Sequence, residues 1–235
     1  MKLIYCTAVY GATDPLRDPL DVNPKVRYVA FTDTPQPQCK VWEVFVTRAW
    51  HHPRLQARLL KIKPHVFFPD ADIYAWLDGS FEIVRDPTNS IVRHSQSHDI
   101  LAFKHPHRTR AEAEAEAVSI HCGIPLELAQ AQVAYYRKQG WVEQNAITST
   151  GFFVRRNTKK VRAWQESWWE EVCLWTIRDQ LSVDYTMHKH NITVEYFDGH
   201  YRKNRYLKFY KHQSTTPAPE LHRKRGWKKG ERGLK

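Results

Sequence analysis

The chain has no apolar run of about eighteen residues or more, the length a membrane-crossing helix needs. Nor does a charged-then-apolar leader open it, since Met1-Lys-Leu-Ile-Tyr5 passes directly into a strand-like pattern. Together these absences give the expectation of a cytoplasmic protein, in a bacterium or a phage-infected host. Cysteine is scarce. Cys6, Cys39, Cys122 and Cys173 are scattered without paired spacing, which argues against a zinc site or a disulfide framework and predicts buried free thiols. No internal repeat is present, and the C-terminus is the sole low-complexity stretch.

Acidic residues are also scarce at that end. Residues 201–235 hold twelve of the 36 Lys and Arg but only Glu220 and Glu231 as acids, so they carry +10 of the formal +11. The final stretch, from His222 through Arg223, Lys224, Arg225, Lys228 and Lys229 to Lys235, has too little apolar area to fold alone. It is expected to be a flexible, polyanion-binding tail over 213–235, following one α/β domain over 1–212, a length that can bury a substantial core.

What is there has the rhythm of a nucleotide-binding α/β layer. Leu3 to Val9, Val26 to Phe31 and Trp42 to Val46 are strand-like, the second stopped by Thr32-Asp33-Thr34-Pro35. Pro53 suits a first helical turn, and Leu55, Leu59 and Ile62 then form a core-facing stripe. Arg54, Arg58 and Lys61 share the same spacing on an adjacent face, either as a solvated surface or as cations meeting a diphosphate. Phe81 to Val84, Asp99 to His107 and Ile147 to Arg156 read as further strands, Ala111 to His121 and Pro125 to Gly140 as helices. Glu112, Glu114 and Glu116 are expected on a solvated face. Asn157-Thr158 caps a long helix in which Trp164, Trp168, Val172 and Trp175 are expected to face the core. A last strand runs from Ile192 to Phe197.

The most informative stretch is Ile73-Tyr-Ala-Trp-Leu-Asp-Gly-Ser80, an apolar run that stops abruptly at an acid, a glycine and a hydroxyl. This places Asp78 at the carboxyl end of a buried strand, where open α/β sheets gather their ligands. The same three polar residues also satisfy a simple turn. Asp70-Ala-Asp72 precedes the strand, at the wrong end of the sheet, and is read as a solvated turn.

Taken in order, His52-Pro-Arg-Leu-Gln-Ala-Arg-Leu-Leu-Lys61, the His65 to Pro69 segment, Tyr74-Ala-Trp-Leu-Asp-Gly79, Asp86-Pro87, Phe103 to His107 and Arg178-Asp-Gln-Leu-Ser182 resemble a glycosyltransferase-like family. That family, formerly a domain of unknown function, has plant mucilage-related, bacterial and phage members. The resemblance implies a GT-A type fold, a mixed sheet flanked by helices in a single domain, and a nucleotide-sugar donor. It implies that Asp78, with Gly79 and Ser80, meets the donor or its metal, and that Asp33 meets the nucleobase or ribose. Asp179 and Gln180 would face the donor sugar or the acceptor, and His200 would supply a late metal ligand. Ser80 replaces the second acid of an Asp-x-Asp motif, leaving Mn²⁺ or Mg²⁺ dependence open.

Sugar transfer from a nucleotide releases a diphosphate whose growing negative charge needs a metal, fixed cations, or both. Arg54, Arg58 and Lys61 are the candidate cations, and Asp179 is the candidate base in an inverting transfer or the group that orients the sugar in a retaining one. The basic terminus points to a polyanionic acceptor, with hydroxymethylated bases in DNA as the first expectation and an acidic surface polysaccharide or lipid-linked glycan as the second. A catalytically inactive nucleic-acid-binding protein is the alternative of another class.

Overall fold

The computed structural model describes residues 1–11, 14–48, 52–144 and 146–211. The chain opens with β1 (Leu3–Val9), β2 (Arg27–Thr32) and β3 (Glu43–Val46). Helix α1 (Pro53–Ile62) starts on the proline expected to open it, and His52 Nδ1 accepts the Arg54 N–H at 3.3 Å. A single turn, α2 (Pro64–Phe67), leads into β4 (Ile73–Leu77), then β5 (Phe81–Ile83), α3 (Thr88–His94) and β6 (Ile100–Lys104). Two helices adjacent in sequence, α4 (Ala111–Cys122) and α5 (Leu126–Lys138), pack on each other before β7 (Thr148–Arg156). Then come α6 (Lys159–Leu174), α7 (Asp179–Lys189), β8 (Val194–His200) and β9 (Leu207–Phe209).

Seven strands make one sheet in the order β3-β2-β1-β4-β7-β6-β8. Every neighbouring pair is parallel except those of β7, which runs against both β4 and β6. The carboxyl ends of β1, β2, β4, β6 and β8 therefore open on one edge, bringing Asp33, Asp78 and His105 to it. This is a mixed α/β domain compatible with a GT-A fold. One face buries Tyr5, Ala75, Leu77, Phe152 and Phe197, the other Cys6, Trp76 and Phe153 beneath α1, α6 and α7. A third cluster joins α4, α5 and α7 around Tyr136 and Tyr185, whose rings stack 3.9 Å apart.

Helix α6 carries its tryptophans as expected for Trp164 and Trp168, both fully buried. Each also spends its indole N–H on α7: Trp164 donates to Thr186 Oγ1 at 3.0 Å and Trp168 to the Asp179 carbonyl at 3.1 Å. Thr158 caps the helix, its Oγ1 accepting the Val161 N–H at 3.2 Å. The stripe ends sooner than expected, because α6 stops at Leu174 and Trp175 turns away to lie against Tyr135. Asp72 sits at the amino end of β4, where it accepts the Lys2 N–H at 2.6 Å, so Asp70-Ala-Asp72 is a turn remote from the open edge.

Several expectations need correction. Glu114 is buried, not solvated, and pairs with Arg108, while Glu112 pairs with Arg137. The four cysteines are free, but only Cys6 is buried and Cys173 is exposed on α6. Strand β9, which the sequence did not signal, pairs antiparallel with β5 in a small second sheet, and Tyr210 N donates to the Ser80 carbonyl at 2.8 Å. The expected tail, with Arg223, Lys224, Arg225, Lys228 and Lys229, lies outside the described residues.

Candidate active site

Strand β4 delivers Asp78 to the open edge and β7 fixes it there, since Asp78 N donates to the Gly151 carbonyl at 2.8 Å. Its Oδ1 accepts from Trp76 Nε1 at 2.6 Å and from Lys61 Nζ at 3.3 Å. Oδ2 has no hydrogen-bond partner among the described residues, and the side chain remains 31% exposed. Two glycines make the space. A Cβ on Gly151 would lie 2.7 Å from Phe81 Cε2 and 3.4 Å from Asp78 Oδ2, and one on Gly79 would lie 2.9 Å from Val9 Cγ2.

Beneath Asp78 lies a buried ion cluster. Lys61 is fully buried on α1, with Nζ 2.6 Å from Asp179 Oδ2 on α7, and Arg58 Nε approaches Asp179 Oδ1 at 2.6 Å. Burial alone would push the Asp179 carboxyl up. The Arg58, Lys61 and Arg178 charges overcome that and hold it well below the usual carboxylate range. Burial draws the Lys61 ammonium down, while Asp179 and Asp78 oppose the change. Lys61 thus ties the floor of the sheet to the carboxylate at the open edge, and its burial rather than solvation is the main surprise of the α1 stripe.

The remaining expected residues are distributed around this centre. Asp33 caps the loop after β1, accepting the Gly11 N–H at 2.6 Å, two strands away from Asp78. Gly11 has φ +69°, a left-handed conformation that favours glycine. Ser80 is buried, and the Gly79 carbonyl accepts from Arg17 at 3.2 Å. Gln180 is engaged on β7: its Oε1 accepts from Thr150 N and Oγ1, both at 3.3 Å, and its Nε2 donates to the Thr148 carbonyl. Arg54 is exposed in the first turn of α1, apart from the cluster. Two strands separate β8 from β4, and His200 Nδ1 accepts the Arg202 N–H at 3.2 Å.

The family model of the TOD1/MUCI70 glycosyltransferase-like domain matches residues 1–212. The chain belongs to this family. A search of curated proteins finds no match. As a TOD1/MUCI70 domain the molecule is glycosyltransferase-like.

A divalent cation fits this edge only in part. Asp78 Oδ2 is an oxygen donor of the type Mg²⁺ or Mn²⁺ takes, yet the described residues gather no group of three or more His, Cys, Asp or Glu side chains able to hold a metal. A cation there would draw its remaining ligands from donor oxygens and water.

Sequence reasoning assigned no role to Arg178, Glu114, Arg108 or Asp184. Arg178 and Glu114 lie beside the Asp179 cluster and feel its charge. Asp184, one helical turn beyond Gln180, accepts the Thr148 N–H at 3.1 Å and lines a cavity of ≈ 210 Å³ with Trp141, Glu143 and Tyr196. Burial pushes its carboxyl up to about 7. At the end of β6, His105 accepts the backbone N–H groups of His107 and Arg108 at 3.2 and 3.0 Å. Burial, then the Arg108, His107 and Arg202 charges, draw its imidazole down to about 3. The exposed Lys104 and Arg202 make that rim cationic, while Arg108 is paired with Glu114. No helix among the described residues is long and apolar enough to cross a membrane.

Proposed function

We propose that the protein moves a sugar from a nucleotide-sugar donor to a hydroxyl on a polyanionic acceptor. The observation that carries this reading is Asp78: a carboxylate at the open carboxyl edge of a glycosyltransferase-like domain, with one oxygen fixed by Lys61 and Trp76 and the other left to a ligand. Asp33, at the end of β2, is the proposed contact for the nucleobase or ribose. A divalent cation held by Asp78 would supply Lewis-acid stabilisation of the departing diphosphate.

In the transfer, the acceptor oxygen forms a bond to the anomeric carbon while the bond from that carbon to the diphosphate oxygen breaks. The electron pair leaves with the diphosphate, and the acceptor hydroxyl's proton passes to the departing diphosphate or to water. Cations fixed before the reaction stabilise that growing charge without reorganising. Arg58 and Lys61 supply such a field, and Asp179 holds both in place. Its depressed proton affinity makes it a weak base, so its proposed role is to position those cations. Gln180 acts likewise, pinning the start of α7 to β7.

The polyanionic acceptor is supported by the exposed rim cations Lys104 and Arg202 and by the basic sequence at 222–235. Hydroxymethylated DNA is the first acceptor to test, followed by an acidic polysaccharide or lipid-linked glycan. The experiment incubates the full chain with a panel of nucleotide sugars, scores donor hydrolysis, and then examines modified and unmodified DNA nucleosides by mass spectrometry. A hexose added to a base supports the DNA acceptor; hydrolysis without DNA modification moves the acceptor to the glycans. A protein that binds DNA but hydrolyses no donor is the inactive nucleic-acid binder.

A further inference from the structure

Four cations and three carboxylates meet under the open edge: Arg58, Lys61, Arg108 and Arg178 against Asp78, Asp179 and Glu114. Three of the cations have carboxylate partners. Arg58 and Lys61 share Asp179, and Arg108 pairs with Glu114. Arg178 has no ion pair among the described residues. Its side chain is half-buried, with Nε out of solvent contact and without a hydrogen-bond partner there. Burial opposes its charge, but Asp179, Glu114 and Asp78 lie near enough to keep it charged.

A guanidinium N–H held out of water without a partner is costly, and a bound anion would satisfy it. Arg178 is also the N-cap of the eleven-residue α7, with no side chain capping the first turn. An arginine fork and a helix N-terminus are two groups that each favour an anion, and here they coincide beside Asp78. With four cations against three carboxylates the cluster keeps a net positive charge, and Arg178 is the cation in it that has no carboxylate within ion-pair distance among the described residues.

Resting on the nucleotide-sugar reading above, we propose that Arg178 is a binding residue for the donor's diphosphate, its guanidinium donating to phosphate oxygens at the start of α7. Asp179 spends its two oxygens on Arg58 and Lys61.

The test uses the full chain and Arg178→Gln, with Arg178→Lys as the charge-retaining control. Pyrophosphate is the first probe, followed by matched nucleosides and nucleoside diphosphates of each base. Wild type should be stabilised against heat by pyrophosphate, and a diphosphate should tighten the preferred nucleoside by about 10- to 100-fold, the range of a charge-assisted bond. Arg178→Gln should lose most of that gain while keeping nucleoside affinity, and its unliganded melting temperature should not fall. Arg178→Lys should keep part of the gain. Equal pyrophosphate binding by wild type and Arg178→Gln would overturn the proposal, as would no binding by wild type or a parallel loss of nucleoside affinity and melting temperature. Pyrophosphate held through Arg178 with no nucleoside bound would uphold the anion site and remove the nucleotide-sugar reading.

Discussion

Replacing Lys61 with Met keeps the volume of the aliphatic stem and deletes a charge that two carboxylates share. Asp179, 2% exposed, would keep only Arg58 within ion-pair distance among the described residues, and Asp78 would keep the Trp76 N–H. Removing one partner of a buried ion pair costs about 3–5 kcal/mol, a large part of the roughly 5–15 kcal/mol that holds a domain together. Urea unfolding at pH 7 should therefore shift to lower denaturant by about 1–2 M. The pH dependence has a definite sign. Because the folded Asp179 carboxyl sits below its unfolded value, its contribution is present above about pH 4 and is lost as pH falls toward the folded value. Lys61→Met weakens that depression, so the gap between variant and wild type should be widest near neutrality and narrow in acid. Asp179→Asn should show coupling: the double variant should lose less than the sum of the single losses. A loss at pH 7 under about 1 kcal/mol, or a gap that ignores pH, would refute the cluster as the tie between α1, α7 and the sheet.

Asp184 should act in the opposite sense: with its folded carboxyl raised to about 7, stability should fall as pH rises from about 4 through 7, by up to about 4 kcal/mol. Asp184→Asn keeps an acceptor for Thr148 N–H and should flatten that profile in thermal melts taken across the window; an unchanged profile would place the titration elsewhere. Gly151→Ala puts a methyl group 2.7 Å from the Phe81 ring and should cost about 1–3 kcal/mol in urea unfolding, whereas a neutral result would mean that Phe81 and the β5–β9 pair yield freely. Deleting 213–235 should flatten the salt dependence of DNA binding, measured by fluorescence anisotropy, by a log-log slope of about 0.9 for each phosphate contact removed. Identical slopes would assign polyanion binding to the rim of Lys104 and Arg202 instead.

The position of Asp78 was legible because an apolar run that stops at Asp-Gly-Ser marks both a buried strand and its exposed end. Trp164 and Trp168 were legible for a similar reason, as large rings at helical spacing must be covered. Lys61 was not, because its spacing with Arg54 and Arg58 describes a solvated stripe unless a carboxylate from elsewhere neutralises it. That carboxylate, Asp179, arrives from a helix formed more than a hundred residues later. Glu114 was hidden in the same way, its burial depending on Arg108 across a turn. β9 is three residues within a basic run and carries too short an alternation to signal a strand; only its pairing with β5 reveals it. The distribution of Arg54, Asp33 and His200 around the edge depends on strand order, which local pattern does not encode.

The most direct test of the account is donor turnover by Asp78→Asn beside wild type. The amide keeps an oxygen to accept from Trp76 Nε1, so the variant should unfold close to the wild-type transition while hydrolysis and transfer of the preferred nucleotide sugar fall by about 10²-fold or more, as removal of an electrostatic contact in a site does. Wild-type turnover by a folded Asp78→Asn protein would contradict the assignment of this carboxylate to the donor.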